Sequence, residues 1–127
     1  MMSNVDYTAI EPNTPASLSA KAYSMLREMG FKGVAITDSI GMGAVNQRWD
    51  WAEASVKALV SGADGILSTN GAFARDMVHG LVVAVQTGNL SEERLNEAAG
   101  RMVALAGGDP MAFACADVQL PKLQTQP

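Results

Sequence analysis

Two short apolar runs, each following a helical pattern that ends in glycine, constrain the fold of this chain most strongly. The runs are GVAI at residues 33–36 and DGILS at residues 64–68. Short runs of this kind, without alternation of apolar and polar residues, are typical of strands buried on both faces. Because helical patterns separate the runs, the chain predicts parallel strands joined by right-handed crossovers, which defines an α/β fold.

Four helices are predicted from apolar spacing and from the residues at their ends. Ser17 or Ser19 begins the first, Asp50 with Glu53 forms a capping box for the second, and Ser91 caps the fourth. The third covers about residues 72–86, and a possible strand precedes all four in MMSNV at residues 1–5. The apolar positions predicted to face inward are Met77, Val78, Leu81, Val82 and Val85 on the third helix, and Leu95, Ala98, Ala99, Met102, Val103 and Leu105 on the fourth.

Polar residues follow each predicted strand at its carboxyl end. They occupy positions 3–4, 37–39 and 68–70, and Asp38 lies in the middle group. The carboxyl ends of parallel strands meet at one edge of a sheet, and this edge is where ligands bind in such folds. Two interpretations of Asp38 stay open at this point, because an isolated Thr-Asp-Ser after a strand is also typical of a carboxylate that only caps the turn.

Four stretches, in this order and spacing, resemble one enzyme family. They are MMSNVDYTAIEPNTPASLS, LREMGFKGVAITDSIGMGAV, WAEASVKALVSGADGIL and GNLSEERLNEAAGRMVAL, and together they cover residues 2–105. The chain resembles the carboxyl-terminal part of the catalytic (β/α)8 barrel of family 3 glycoside hydrolases, especially the β-N-acetylhexosaminidase branch. The resemblance implies a partial TIM barrel, about strands six to eight with their helices, over residues 1–107. Residues 108–127 would form a C-terminal extension.

The resemblance also implies functional residues. Asp38 matches the catalytic nucleophile of a retaining glycosidase, and Asn4, Thr37, Ser39 and Met42 are candidates for contact with the carbohydrate substrate. A family member of this branch carries its acid/base, a His-Asp pair, on an earlier loop that has no counterpart in these 127 residues. We therefore expect a fragment or truncated product that is inactive by itself, and no cofactor or metal.

Composition excludes several other classes of protein. The formal net charge is -4 with nine Lys and Arg, so a nucleic-acid-binding surface is not expected. No apolar stretch approaches the ~20 residues of a membrane span, and no pattern indicates a cellular compartment. The single cysteine, Cys115, and the single histidine, His79, match no catalytic motif. Trp49 and Trp51 fit either sugar stacking or packing at the start of a helix.

A third of a barrel would leave apolar helix faces and strand edges uncovered. Such surfaces favour self-association or pairing with an amino-terminal barrel part. The alternative function is a non-catalytic α/β binding or interaction module of barrel ancestry. Asp64, in the glycine-flanked turn SGADGI, is expected to shape the beginning of a strand at the end opposite the site.

Overall fold

A computed structural model describes residues 1–109 of the chain. Five α-helices follow one another: α1 (Ala20–Glu28), α2 (Gly43–Asn46), α3 (Trp51–Ser61), α4 (Ala74–Gln86) and α5 (Glu92–Leu105). Two 3₁₀ turns, Ala16–Leu18 and Gly71–Phe73, precede α1 and α4. Cys115 and most of the proposed extension lie outside the described residues.

The helix beginnings follow from local cap chemistry. The Ser19 hydroxyl accepts from the Ala22 amide, and the Ser91 hydroxyl accepts from the Arg94 amide. Asp50 and Glu53 form the reciprocal capping box predicted for α3. The four predicted helices are therefore confirmed as α1, α3, α4 and α5, whereas the short α2 and the two 3₁₀ turns were not predicted.

Three extended segments lie side by side in parallel, although residues 1–109 contain no regular strand. One parallel bridge joins Met2 to Thr37, and another joins Ile36 to Gly65. An antiparallel bridge between Asp6 and Pro15 folds the first loop back. The predicted strands are thus reduced to single bridges, and the middle segment lies between the other two.

The core has α3 at its centre. One cluster of buried residues contains Leu18, Tyr23, Ala35, Ile40, Val45, Ala54, Ala58, Ala63 and Met77, and a second contains Leu59, Ala84, Leu90 and Ala98. Small residues let α3 and α4 approach closely, since a Cβ added at Gly80 would lie 2.8 Å from the Ala52 Cβ. This packing fixes the helices behind the extended segments.

A buried carboxylate, that of Asp64, links α1 and α5 to the beginnings of the second and third extended segments. Asp64 accepts from Arg27 at 2.6 Å and from Arg94, Arg101 and the Ala35 amide at 2.9 Å each. Burial alone would raise the pKa of Asp64, but the Ala35 amide and the guanidiniums outweigh it and hold that pKa below its ordinary value. This cluster places Asp64 at the beginning of its segment, as expected.

Part of the predicted inward-facing apolar stripes is exposed. Val78 on α4 is 60% exposed and Leu105 on α5 is 70% exposed, and Val82, Ala99 and Met102 are exposed as well. The prediction that these residues face inward is wrong for residues 1–109, because the described elements leave a large part of each side chain uncovered. Val78 and Val82 line an apolar cleft of about 340 Å³ between α4 and Leu95 of α5.

Candidate active site

The parallel hydrogen-bond ladder between the middle and last segments breaks at Asp38. It begins regularly, with the Gly65 amide donating to the Ala35 carbonyl and the Thr37 amide donating to the Gly65 carbonyl. A regular continuation would take the Leu67 amide to the Thr37 carbonyl and the Ser39 amide to the Leu67 carbonyl. Instead, the Leu67 amide donates to the Thr37 Oγ1, and the Ile40 amide donates to the Leu67 carbonyl.

The break frees the Ser39 amide for the Asp38 carboxylate. Ser39 N donates to Asp38 Oδ1 at 2.7 Å, and the Asp38 amide donates to the Met2 carbonyl at 2.8 Å. Asp38 is half-buried. Among residues 1–109, its carboxylate accepts a hydrogen bond from the Ser39 amide. One oxygen is therefore oriented by the backbone, while the other accepts no hydrogen bond from the described residues. A carboxylate held in this way can act as a nucleophile or can stabilise a nearby cation.

Asn4 and Thr37 lie beside Asp38, but their polar atoms are engaged within the protein. The Asn4 side chain donates to the Ser39 carbonyl at 2.8 Å and accepts from the Ser17 hydroxyl at 2.5 Å. Thr37 is fully buried, and its hydroxyl accepts from the Leu67 amide at 3.0 Å. Both contacts are structural, so direct contact of either side chain with a sugar stays a prediction.

Ser39 and Met42 belong to the turn that follows Asp38. The Ser39 hydroxyl lies 3.4 Å from the Thr69 hydroxyl, which brings together the two polar groups predicted at the ends of neighbouring strands. Met42 is exposed and precedes α2. Both residues closely follow Asp38 in the sequence, and their contact with substrate also stays a prediction.

The two tryptophans have partners within the protein. Trp51 stacks on Phe73 with ring centroids 4.5 Å apart, and its ring fills the space beside Gly41, where a Cβ would lie 2.5 Å from Trp51 Cη2. The Arg48 guanidinium lies 4.3 Å from the Trp49 ring. These contacts support the packing interpretation over sugar stacking.

Ser17 has a role near Asp38 that the sequence did not predict. It was one of two candidates for the cap of α1, and Ser19 takes that role, which leaves the Ser17 hydroxyl for Asn4. His79 lies on α4 and lines a cleft of about 570 Å³ between α3 and α4. In the described part of the chain, no group of three His, Cys, Asp or Glu side chains could hold a metal ion.

The family model for the glycosyl hydrolase family 3 N-terminal domain matches residues 1–105. The chain therefore belongs to this family. An uncharacterized secreted glycosyl hydrolase from Arthroderma benhamiae is 30% identical over 103 residues, which cover 78% of this chain and 29% of the relative. The chain thus spans less than a third of the length of this curated relative.

Solved structures of family members have the same fold. A family 3 glycosyl hydrolase from Mycobacterium smegmatis matches with a TM-score of 0.78 and 31% identity, over 81% of this chain and 33% of that one. A β-N-acetylglucosaminidase from a Paenibacillus species matches at 0.69 and 31%, over 86% and 21%. A β-N-acetylhexosaminidase from Beutenbergia cavernae matches at 0.72 and 29%, over 80% and 31%. These matches confirm the resemblance to family 3 and to its N-acetylhexosamine-cleaving members.

The described helices are all shorter or more polar than a membrane-crossing helix. The longest of them is α5, with 14 residues.

Proposed function

We propose that the chain carries the nucleophile of a retaining glycosidase that acts on β-linked N-acetylhexosamine or a related β-glycoside, and that Asp38 is this nucleophile. The observation that carries the proposal is the break in the ladder, which orients the Asp38 carboxylate through the Ser39 amide. The relatives named as β-N-acetylglucosaminidase and β-N-acetylhexosaminidase support the substrate class.

In the proposed reaction, an Asp38 oxygen attacks the anomeric carbon and the glycosidic bond breaks. The leaving oxygen takes a proton from an acid, and water then hydrolyses the glycosyl ester with retention. In this proposed reaction the acid is not one of these 127 residues. The described carboxylates of the first loop have other partners, since Asp6 pairs with Arg48 and Glu11 accepts from the Ser19 hydroxyl.

The proposed architecture is a partial (β/α)8 barrel, about strands six to eight, over residues 1–107 with a C-terminal extension at 108–127. Three parallel extended segments, each followed by a helix, support it, as does the family match over residues 1–105. In this arrangement Asp38 lies at the carboxyl end of the seventh strand. The Asp64 cluster lies at the opposite end, where barrels carry stability rather than chemistry.

Labelling with an activated glycosyl donor tests the nucleophile separately from the acid. A 5-fluoro-N-acetylglucosaminyl fluoride needs no proton on its leaving group, so Asp38 can form the ester without the acid. We expect intact-mass analysis to show one added glycosyl group, and peptide mapping to place it on Asp38.

Asp38→Asn should abolish this label, whereas the control Asp76→Asn, which changes an exposed carboxylate on α4, should keep it. A label on another residue, or no label on the unaltered chain at high donor concentration, contradicts the proposal. With an ordinary nitrophenyl glycoside we expect little turnover, because general-acid catalysis typically supplies about 10²- to 10⁴-fold.

The exposed apolar face of α4 supports a proposed partner, the amino-terminal part of a family 3 barrel. Val78 and Val82 are exposed beside the cleft between α4 and α5, and the matches cover only 29% and 33% of two relatives. Without such a partner we expect self-association, which Val82→Asp should weaken in sedimentation velocity experiments. A stable monomer at high concentration would contradict this expectation and favour an independent small fold.

A further inference from the structure

Asn4 connects the first extended segment to the turn that contains Asp38. It is 7% exposed, and its side chain donates from Nδ2 to the Ser39 carbonyl across 35 positions of sequence. The Ser39 carbonyl is an acceptor only, so the amide nitrogen of Asn4 must face it. The Asn4 oxygen is then left to accept from the Ser17 hydroxyl, as the structure shows.

Ser17 is itself held rigidly. It is fully buried, its amide donates to the Ser3 carbonyl at 2.9 Å, and its carbonyl accepts from the Tyr23 hydroxyl at 3.0 Å. Burial and the charge of Asp64 raise the pKa of Tyr23, so this hydroxyl stays protonated and keeps donating at neutral pH. Asn4 is thus anchored by the Ser17 hydroxyl, and the backbone of Ser17 is itself held by Ser3 and Tyr23.

Ser39 is held from both sides as a result. Its carbonyl is bound by Asn4, and its amide donates to the Asp38 carboxylate. We propose that Asn4 is a positioning residue, which orients the Asp38 carboxylate by fixing the Ser39 backbone outside the regular ladder. Its effect on glycosyl transfer rests on the proposed function, whereas its effect on the Ser39 backbone does not.

The variant Asn4→Asp tests this role with almost no change of shape. The carboxylate still accepts from Ser17, but it cannot donate to the Ser39 carbonyl and repels it. We expect the Ser39 amide to exchange with solvent at least about tenfold faster, beyond any change in global unfolding, and its proton resonance to move as the bond to Asp38 lengthens. Misplacement of a reacting group by about 1 Å costs about 10²-fold in rate, so labelling of Asp38 should slow by about 10- to 100-fold.

Ser61→Ala is the matched control. It removes one side-chain hydrogen bond, from the Ser61 hydroxyl to the Leu18 carbonyl at 2.8 Å, and leaves the hydrogen bonds that join Asn4, Ser17, Ser39 and Asp38 in place. We expect this variant to change stability without changing the Ser39 amide or the labelling rate. If Asn4→Asp does not fold, Ser17→Ala replaces it, because loss of the Ser17 hydroxyl releases the Asn4 amide and should raise Ser39 exchange by a smaller factor.

The two proposals fail in distinguishable ways. Absence of any label on the unaltered chain overturns the nucleophile, while Ser39 exchange still decides the role of Asn4. The positioning role is overturned if the exchange rate and the proton resonance of the Ser39 amide change no more in Asn4→Asp or Ser17→Ala than in Ser61→Ala. A normal labelling rate in a folded Asn4→Asp chain overturns it as well.

Discussion

Asp64→Asn removes the charge at the centre of the cluster that joins α1, α5 and the extended segments. The Asp64 side chain is fully buried and has four donors, of which three are guanidiniums. Asparagine keeps the shape and one acceptor oxygen. However, its amide group points N–H donors at cations that already donate, so the charge and about half of the acceptor capacity are lost.

The expected loss of stability depends on how deeply the Asp64 carboxylate and its three arginine partners are buried. Removing one partner of a buried ion pair costs about 3–5 kcal/mol when the remaining charge stays buried. The side chains of Arg27, Arg94 and Arg101 keep 24%, 16% and 26% exposure, so water partly solvates them. We therefore expect Asp64→Asn to lower the free energy of unfolding by about 2–4 kcal/mol at pH 7, which is large against a typical total of about 5–15 kcal/mol.

Urea denaturation monitored by tryptophan fluorescence measures this loss, since Trp49 and Trp51 are the two tryptophans of the chain. Because the pKa of Asp64 is lowered in the folded state, its stabilisation is full above the unfolded value of about 3.9 and disappears as the pH falls through the folded value. The difference between the two proteins should therefore shrink in acid. Asp76→Asn is the exposed control, with an expected change below about 1 kcal/mol. A loss at Asp64 no larger than that of the control, or one that persists undiminished in strong acid, would refute the reasoning.

Three further outcomes are expected from thermal unfolding monitored by circular dichroism. Gly80→Ala should cost about 1–3 kcal/mol, because its Cβ would lie 3.2 Å from the backbone Cα of Ala52, whereas Gly71→Ala, with no atom within 4 Å, should cost nothing measurable. Asp50→Ala should cost about 0.5–2 kcal/mol by removing the capping box of α3, and an unchanged midpoint would contradict that role. The midpoint of the unaltered chain should fall as the pH decreases below about 4 and Asp64 becomes protonated, and a flat profile there would contradict the lowered pKa of Asp64.

The helices were predictable because caps are local. Ser19, Asp50 and Ser91 each accept from an amide three positions ahead, so the residues that begin a helix stand together in the sequence. The family was predictable for a similar reason, since the four matching stretches are continuous phrases. The match of the family model over residues 1–105 confirmed the family.

The exposed stripes and the site were less predictable because they depend on distant residues. Spacing identifies the apolar face of α4, but Val78 is buried only if another element packs there. The bond from Asn4 to Ser39 spans 35 positions, and no local pattern signals that this amide is engaged within the protein. The residues proposed for substrate contact were chosen by their place at the strand ends, which does not reveal where their hydrogen bonds go.

The contacts of the Asp64 cluster join residues that are distant in the sequence, so we expect the cluster to form late in folding. Arg27 and Arg101 each stand 37 positions from Asp64, one on either side, so the cluster closes two long loops at once. Closing such loops reduces chain entropy before the stabilising contacts form. Non-local contacts of this kind therefore slow folding. Arg101 is the last of the three arginines to be synthesised. The complete Asp64 cluster can therefore form only after α5 has been synthesised.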